Sequence, residues 1–306
     1  MFTLTSAALE RLARSGAYDL GTARCILFGL RGCLPANTAD VTVGPSKALR
    51  IVPVDHLSMR CTMGVWLPED GTLMAVPGST VPHRKAVEAA KAAGGLGANR
   101  ILPGLLRFRK GKHPQSGNRP QQDAFVQAID FPYQRSADDL DYDEQDPVAF
   151  ETPGDNIHCA FAESPNAPGF DSSGCLVVAG FAQRAGMPGS KDIGCWPRLR
   201  DTAYASGQRD FPFLLGNGTE AEASAVAAPG TLPLRLRFGS SGDTVRSVQS
   251  ALARLGLLKR TDVDGGYGRL TVLAVREAQR RLGLAPDATC GLNTADALGI
   301  ADWPTV

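Results

Sequence analysis

Two stretches near the C terminus carry one spaced pattern, and that pattern limits what this part of the chain can fold into. Asp264-Gly265-Gly266-Tyr267-Gly268-Arg269-Leu270-Thr271 and Asp287-Ala288-Thr289-Cys290-Gly291-Leu292-Asn293-Thr294 both read Asp-x-x-x-Gly-x-x-Thr. A weak internal repeat of this kind implies one supersecondary unit used twice. Before the first copy, Val245, Val248, Leu252 and Leu255 recur at helical spacing, and Gly256 is a natural stop. Between the copies, Ala274, Val275, Ala278 and Leu282 make one apolar helix face, ended by Gly283. The second copy leads into Ala297-Leu298. The pattern predicts a three-helix, all-α domain over 234–306. Its basic residues, among them Arg246, Arg254, Arg280 and Arg281, read first as a solvated helix face.

Upstream the periodicity changes. Gly218 to Pro233 is rich in Ala, Gly, Ser and Pro, which predicts an interdomain linker over 218–233. Residues 41–217 read as mostly strand. Val41-Thr42-Val43, Arg50 to Val54, Cys61 to Trp66 and Phe211 to Leu215 are strand-like, and Glu69-Asp70-Gly71 is a hairpin turn before Thr72 to Val76. Pro82 to Ala93 reads as a helix, and residues 1–40 as a small N-terminal helical segment. The acidic run 138–146 lacks the Gly and terminal Glu of a calcium loop and reads as a solvated loop. The expected fold class is therefore α+β and multidomain: a mostly-β domain, then an all-α one.

Within the β region, Ile157-His158-Cys159 ends a strand, and Ser172-Ser173-Gly174-Cys175 precedes the apolar run Leu176-Val177-Val178. A cysteine thiol with pKa about 8.5 is a modest nucleophile at neutral pH, and an adjacent imidazole raises its reactivity by taking the proton. A turn ending in Gly-Cys also exposes backbone N–H groups suited to an oxyanion. A buried cysteine and a satisfied histidine would be the bland reading.

This pattern resembles the signature of the L,D-transpeptidase catalytic domain, a strand ending in Ile-His-Gly, a loop, then Ser-His-Gly-Cys and an apolar strand. The resemblance puts the nucleophile on Cys175, the base on His158, the imidazole-orienting carbonyl on Cys159 and an oxyanion N–H on Gly174. It implies substrate contacts at Ser172, Ser173 and His113. Two positions depart from the family: its His is Ser173, and its Arg two residues after the nucleophile is Val177. The C-terminal repeat, from Gly-x-x-Gly-Asp-x-Val to the second Gly-x-x-Thr, is similar to the three-helix peptidoglycan-binding domain. That resemblance places the wall-binding groove near Asp264, Gly265 and Tyr267.

Composition narrows the function. Lys plus Arg number 32 and Asp plus Glu 31, a net charge of +1, which gives no argument for nucleic acid or an anionic membrane as partner. No run approaches the ~18 apolar residues of a membrane span. Met1 to Leu20, with Glu10, Arg11, Arg14 and Asp19, lacks the form of a secretory signal. The expectation is a protein made in the cytoplasm that reaches the periplasmic cell wall after delivery or lysis, with an immunity protein as partner for a delivered effector. The seven cysteines have no C-x-x-C pair, so reduced thiols are expected. His83, His113, His158 and Asp123 lack local zinc-ligand spacing, and neither metal nor cofactor is expected. Three functions follow: a cysteine peptidase cutting the peptide stem of peptidoglycan (L,D-carboxypeptidase or L,D-endopeptidase type), an L,D-transpeptidase cross-linking it, or a non-catalytic wall-binding protein. Loss of the family's Arg and of one His favours the hydrolase.

Overall fold

The computed structural model describes residues 1–95, 97–114, 121–136, 139–143, 145–184 and 186–306. The chain opens with β1 (Phe2–Thr5), α1 (Ser6–Ser15), β2 (Ile26–Arg31), β3 (Cys33–Pro35), β4 (Ser46–Ile51), β5 (Cys61–Leu67) and β6 (Thr72–Ser79). It continues through α2 (Arg84–Ala92), β7 (Asn99–Ile101), β8 (Gly104–His113), β9 (Gln122–Gln127), β10 (Phe131–Arg135), β11 (Val148–Glu151), β12 (Ile157–Cys159) and β13 (Leu176–Val178). Then come β14 (Gly180–Phe181), β15 (Ile193–Gly194), α3 (Cys195–Ala205), β16 (Asp210–Asn217), α4 (Gly218–Val226), α5 (Asp243–Arg254), α6 (Arg269–Arg281) and α7 (Leu292–Ala297).

A closed barrel runs in the order β12-β13-β6-β5-β2-β16-β8-β9, and β9 returns to β12 through Phe125 opposite Ile157. Two pairs are parallel, β2 with β16 and β12 with β13. Strand periodicity divides the side chains between two cores. Leu27, Met63, Val65, Met74, Val76, Phe211, Phe213 and Leu215 join one cluster with Phe108, Phe125 and Trp196 of α3. Ile26, Phe28, Leu30, Trp66, Leu73, Ala75 and Leu214, from the same strands, join another with Leu9 and Leu12 of α1 and Ala221 of α4. Strands covered on both faces read as continuous apolar runs rather than alternations.

The strands-then-helices organisation is as expected, but three local expectations change. Residues 1–40 are not a helical segment: only α1 is helical, and β2 is a barrel stave. Val41-Thr42-Val43 is not a strand. In the acidic run, Asp138 and Glu144 lie outside the described residues, while Asp146 is fully buried and its Oδ2 accepts the Asp143 N–H.

Residues 218–233 differ most from expectation. They contain α4, whose start is fixed where Glu220 Oε2 accepts the Asn217 N–H at 3.1 Å. The small residues that suggested a linker let α4 pack closely on α1, where Arg11 Nε donates to Ser224 O at 2.7 Å. Further on, Leu232 and Val306 exchange backbone hydrogen bonds. The C-terminal helices, whose core includes Val248, Leu252, Tyr267, Val275 and Cys290, also bury Leu102 and Phe150 of the β region. Leu105 N–H donates to Phe238 O at 2.9 Å, Arg235 N–H to Ser15 O at 2.7 Å and Ser241 N–H to Ala17 O at 2.9 Å. A side-chain clamp completes the contact: Arg237 donates both terminal nitrogens to Glu220, at 2.7 and 3.2 Å, and both side chains are buried.

Burial alone would raise the Glu220 pKa, but the Arg237 charge overrides it and the net shift is downward from 4.5. A depressed carboxylate contributes stability that is present above its unfolded pKa and lost as pH falls through the folded value. The domain contact should therefore weaken below about pH 4.5 and hold at neutral pH. Limited proteolysis at neutral pH should spare 218–226, and Glu220→Ala should admit cleavage there. Leaving Arg237 buried and unpaired costs about 3–5 kcal/mol, read as a lowered midpoint in denaturant. Rapid cutting of the unaltered chain within 218–226 would contradict the docked arrangement.

Candidate active site

The parallel pairing of β12 with β13 sets Ile157 opposite Leu176, His158 opposite Val177 and Cys159 opposite Val178. Cys175, one residue before β13, therefore lies beside the start of β12, close to His158. Along β12 the side chains alternate. Cys159 points into the barrel core, where its thiol donates to Gln122 Oε1 at 3.1 Å, while His158 faces a cleft of about 510 Å³ lined also by Cys175, His113, Asp155, Asp171, Ser173 and Arg184.

His158 Nδ1 donates to the Cys159 carbonyl at 2.7 Å. This leaves the lone pair on Nε2, the arrangement a general base needs. His113, at the end of β8, lies against His158 with ring centroids 4.5 Å apart and the ring planes tilted by 32°. Its Nδ1 accepts from Asn156 Nδ2 at 3.0 Å. The amide cannot be turned round, because Asn156 Oδ1 accepts the Gln127 N–H at 3.0 Å. His113 is thereby held as the opposite tautomer, with its proton on Nε2, and burial lowers its pKa, favouring the neutral ring. At Nδ1 one ring of the tilted pair accepts and the other donates.

Cys175 is half-buried, whereas the other six cysteines are buried. Burial first, and the neighbouring Asp155 charge second, push its thiol up to about 12. A resting thiolate is therefore disfavoured. Asp155 is buried beneath the turn, accepts from Asn99 Nδ2 at 2.7 Å, and is itself pushed up by burial to about 6. Gly174 fits above it for two reasons: its φ of +147° is poorly open to other residues, and a Cβ there would lie 2.4 Å from Asp155 Oδ1.

Two expected roles shift. The Gly174 N–H donates to Ser172 Oγ at 3.3 Å, and the Ser172 hydroxyl donates to Cys175 O at 2.6 Å. Ser172 thus braces the turn instead of facing a substrate, and Gly174 is already engaged as a donor. Ser173 is exposed and lines the cleft. Asn99, Asp155, Asn156 and Arg184 had not been singled out. Only Asn156, beside the Ile-His-Cys run, carried a local signal, its place next to the motif.

His83 and Asp123 stand apart from this centre. The His83 ring caps α2 by accepting the Lys85 N–H, and Asp123 pairs with Lys112 and Arg200. His113, His158 and Cys175 each bring one ligand atom within 4.8 Å of the others, a spacing a soft metal ion could use. A metal on His113 Nε2 would require a proton on Nδ1, facing the donating Asn156 amide.

In the C-terminal domain the two repeats form matching clasps. Gln249 Nε2 donates to Asp264 Oδ1, Gly266 O and Thr271 Oγ1, and its Oε1 accepts the Gly265 N–H. Gln279 does the same with Asp287, Thr289 O, Thr294 and the Ala288 N–H. Asp264 and Gly265 are therefore clasp residues. Tyr267 is core, 1 % exposed with its hydroxyl donating to Ala288 O, and cannot line a groove. A cavity of about 250 Å³ lies instead at the second clasp, among Leu234, Gln279, Asp287, Thr289, Asn293 and Thr294.

Residues 241–298 match the family described as "Putative peptidoglycan binding domain", so a peptidoglycan-binding domain occupies this part of the chain. The match lies outside the barrel. None of the curated proteins compared matches the chain. Among solved structures, "The crystal structure of SleB N-terminal domain" is 33% identical over 22% of this chain and 93% of that one, with a TM-score of 0.21.

The geometry predicts which thiol reacts. Cys175 should alkylate faster than the other six cysteines because it is the accessible one, and its rate should climb with pH through the alkaline range. Asp155→Asn removes the nearby negative charge while keeping an acceptor for Asn99, so it should lower the Cys175 pKa and speed alkylation at pH 8. Peptide mapping after brief iodoacetamide treatment reads both; a slower Asp155→Asn protein would contradict the assigned field.

Proposed function

We propose that this is a peptidoglycan-bound cysteine hydrolase that cuts the peptide stem, of L,D-carboxypeptidase or L,D-endopeptidase type. The observation that carries the reading is an accessible Cys175 thiol beside a His158 held in the base tautomer by Cys159 O, in a chain with a peptidoglycan-binding domain. His158 Nε2 takes the thiol proton as Cys175 Sγ bonds to the scissile carbonyl carbon. The carbonyl oxygen becomes an oxyanion, met by the Cys175 N–H and by the Nε2–H of His113. The C–N bond then breaks, and the leaving amine takes the proton from His158. Water, deprotonated by the same imidazole, attacks the thioester, and the Cys175 thiol is restored. His113 adds a donor to the cleft where the Gly174 N–H is committed to Ser172. Asp171 and Arg184, on the cleft wall, suit the ammonium and carboxylate groups of a stem peptide.

Digestion of purified peptidoglycan, followed by mass spectrometry of the soluble fragments, tests this. The unaltered protein should release or trim stem peptides. Cys175→Ser and His158→Ala should each abolish this, and their losses should not add, since nucleophile and base act as a unit. Cys159→Ser should keep most activity, because Cys159 faces the core. New cross-linked dimers in place of trimmed stems would assign a transpeptidase instead. An unchanged digest, with wall binding intact, would assign a binding protein.

A further inference from the structure

A cavity of about 350 Å³ lies where the barrel region meets the peptidoglycan-binding domain, and the buried Arg31 and the half-buried Arg100 border it, with Arg235 and Arg237 on the far wall. Arg31 of β2 is 8 % exposed. Its Nε donates to Thr80 Oγ1 at 2.9 Å, and its Nη2 to the carbonyls of Thr80 and Ile101 at 3.0 and 2.5 Å. Arg100 of β7 donates Nη2 to Gln134 Oε1 at 2.7 Å and lies 5.0 Å from the Tyr142 ring centroid, while its Nε is buried without an acceptor. Among the described residues neither guanidinium has a carboxylate in ion-pair contact. Asp146 attracts the Arg100 charge, and its Oδ2 accepts the Asp143 N–H.

Two further buried arginines of this chain carry carboxylate partners. Arg237 is clamped by Glu220, and Arg200 by Asp192 and Asp201. A guanidinium taken out of water without a counter-charge is costly, and removing one partner of a buried pair leaves that cost in place. Arg31 and Arg100 are also close enough to repel; burial first and that repulsion second push the Arg31 pKa down to about 9. The two therefore form a preorganised anion site, in which a ligand supplies the missing charge.

The cavity does not end there. Arg235, Ala285, Asp287 and Thr289 border both it and the cavity at the second clasp, so one groove runs from the arginines across the peptidoglycan-binding domain to Asn293 and Thr294. Exposed Asp143 and Asp287 stand on its walls, beside a Glu220 already paired with Arg237, which disfavours a polyanion and suits a ligand with both carboxylate and ammonium groups. We propose that Arg31 and Arg100 bind a carboxylate of a peptidoglycan stem peptide lying in this groove. The site lies apart from Cys175 and does not rest on its chemistry.

The test uses the full chain with Cys175→Ser, so that nothing turns over. Calorimetric titration compares a free stem tetrapeptide, the same peptide with its carboxylates amidated, and sodium phosphate. The acid peptide should show a binding component that Arg100→Gln and Arg31→Gln each weaken at least tenfold, and that amidation removes. Binding in the catalytic cleft should survive both arginine variants, which separates this site from the thiol centre. Circular dichroism checks folding, and if Arg31→Gln fails to fold, Arg100→Gln decides. Equal binding by the Arg100→Gln protein, or by the amidated peptide, would overturn the proposal. Displacement of the peptide by an equal concentration of phosphate would identify a simple anion site and overturn the wall-peptide assignment.

Discussion

Everything at the thiol centre depends on the parallel pairing of two short strands. A parallel pair needs a crossover between its members, and here the crossover is the loop between β12 and β13 that ends in the Ser172–Cys175 turn. If β13 lay elsewhere in the barrel, His158 and Cys175 would be two unrelated residues. Because the strands are neighbours in fixed register, the thiol arrives beside the start of β12, with the imidazole one pleat along. The turn is then held by Ser172, which bonds to both Gly174 and Cys175, and it rests on a buried Asp155 that leaves no room for a side chain at 174.

The same neighbourhood sets the two adjacent histidines in opposite roles. His158 Nδ1 donates to the adjacent carbonyl, while His113 Nδ1 accepts from an amide that the backbone of Gln127 orients, and burial favours the neutral His113 ring. The tilted pair thus presents a donor and an acceptor at Nδ1. The high pKa of the Cys175 thiol fits the proposed mechanism, in which a nucleophile not ionised at rest requires its base in contact during the attack.

What was legible in the sequence was local. His158, Cys159 and Cys175 lie in short motifs, and the helical repeat announced itself through period and Asp-x-x-x-Gly-x-x-Thr spacing. What was not legible came from distant pairings. Asn99 meets Asp155, and His113 meets Asn156, only because β7 and β8 are folded against the strands that follow. Gln249 and Gln279, which hold the two clasps, look like ordinary polar helix residues in sequence. The segment 218–226 was misleading for a different reason: small residues serve a flexible linker and a closely packed helix equally well. The Glu220 side chain decides between them, since one carboxylate both caps α4 and holds Arg237 of the next domain. The second domain is thus built onto the barrel region, with a groove along the seam.

The central claim is that Cys175 carries the peptide as a thioester. Intact-protein mass spectrometry, after rapid acid quenching of the protein mixed with a stem tetrapeptide, tests it most directly. The expected result is a transient added mass equal to the acyl part of the peptide, mapped by proteolysis to Cys175, and a longer-lived adduct in a His158→Gln protein acylated with an activated ester. An adduct on another cysteine, or peptide cleavage that persists in Cys175→Ser without any covalent species, would contradict it.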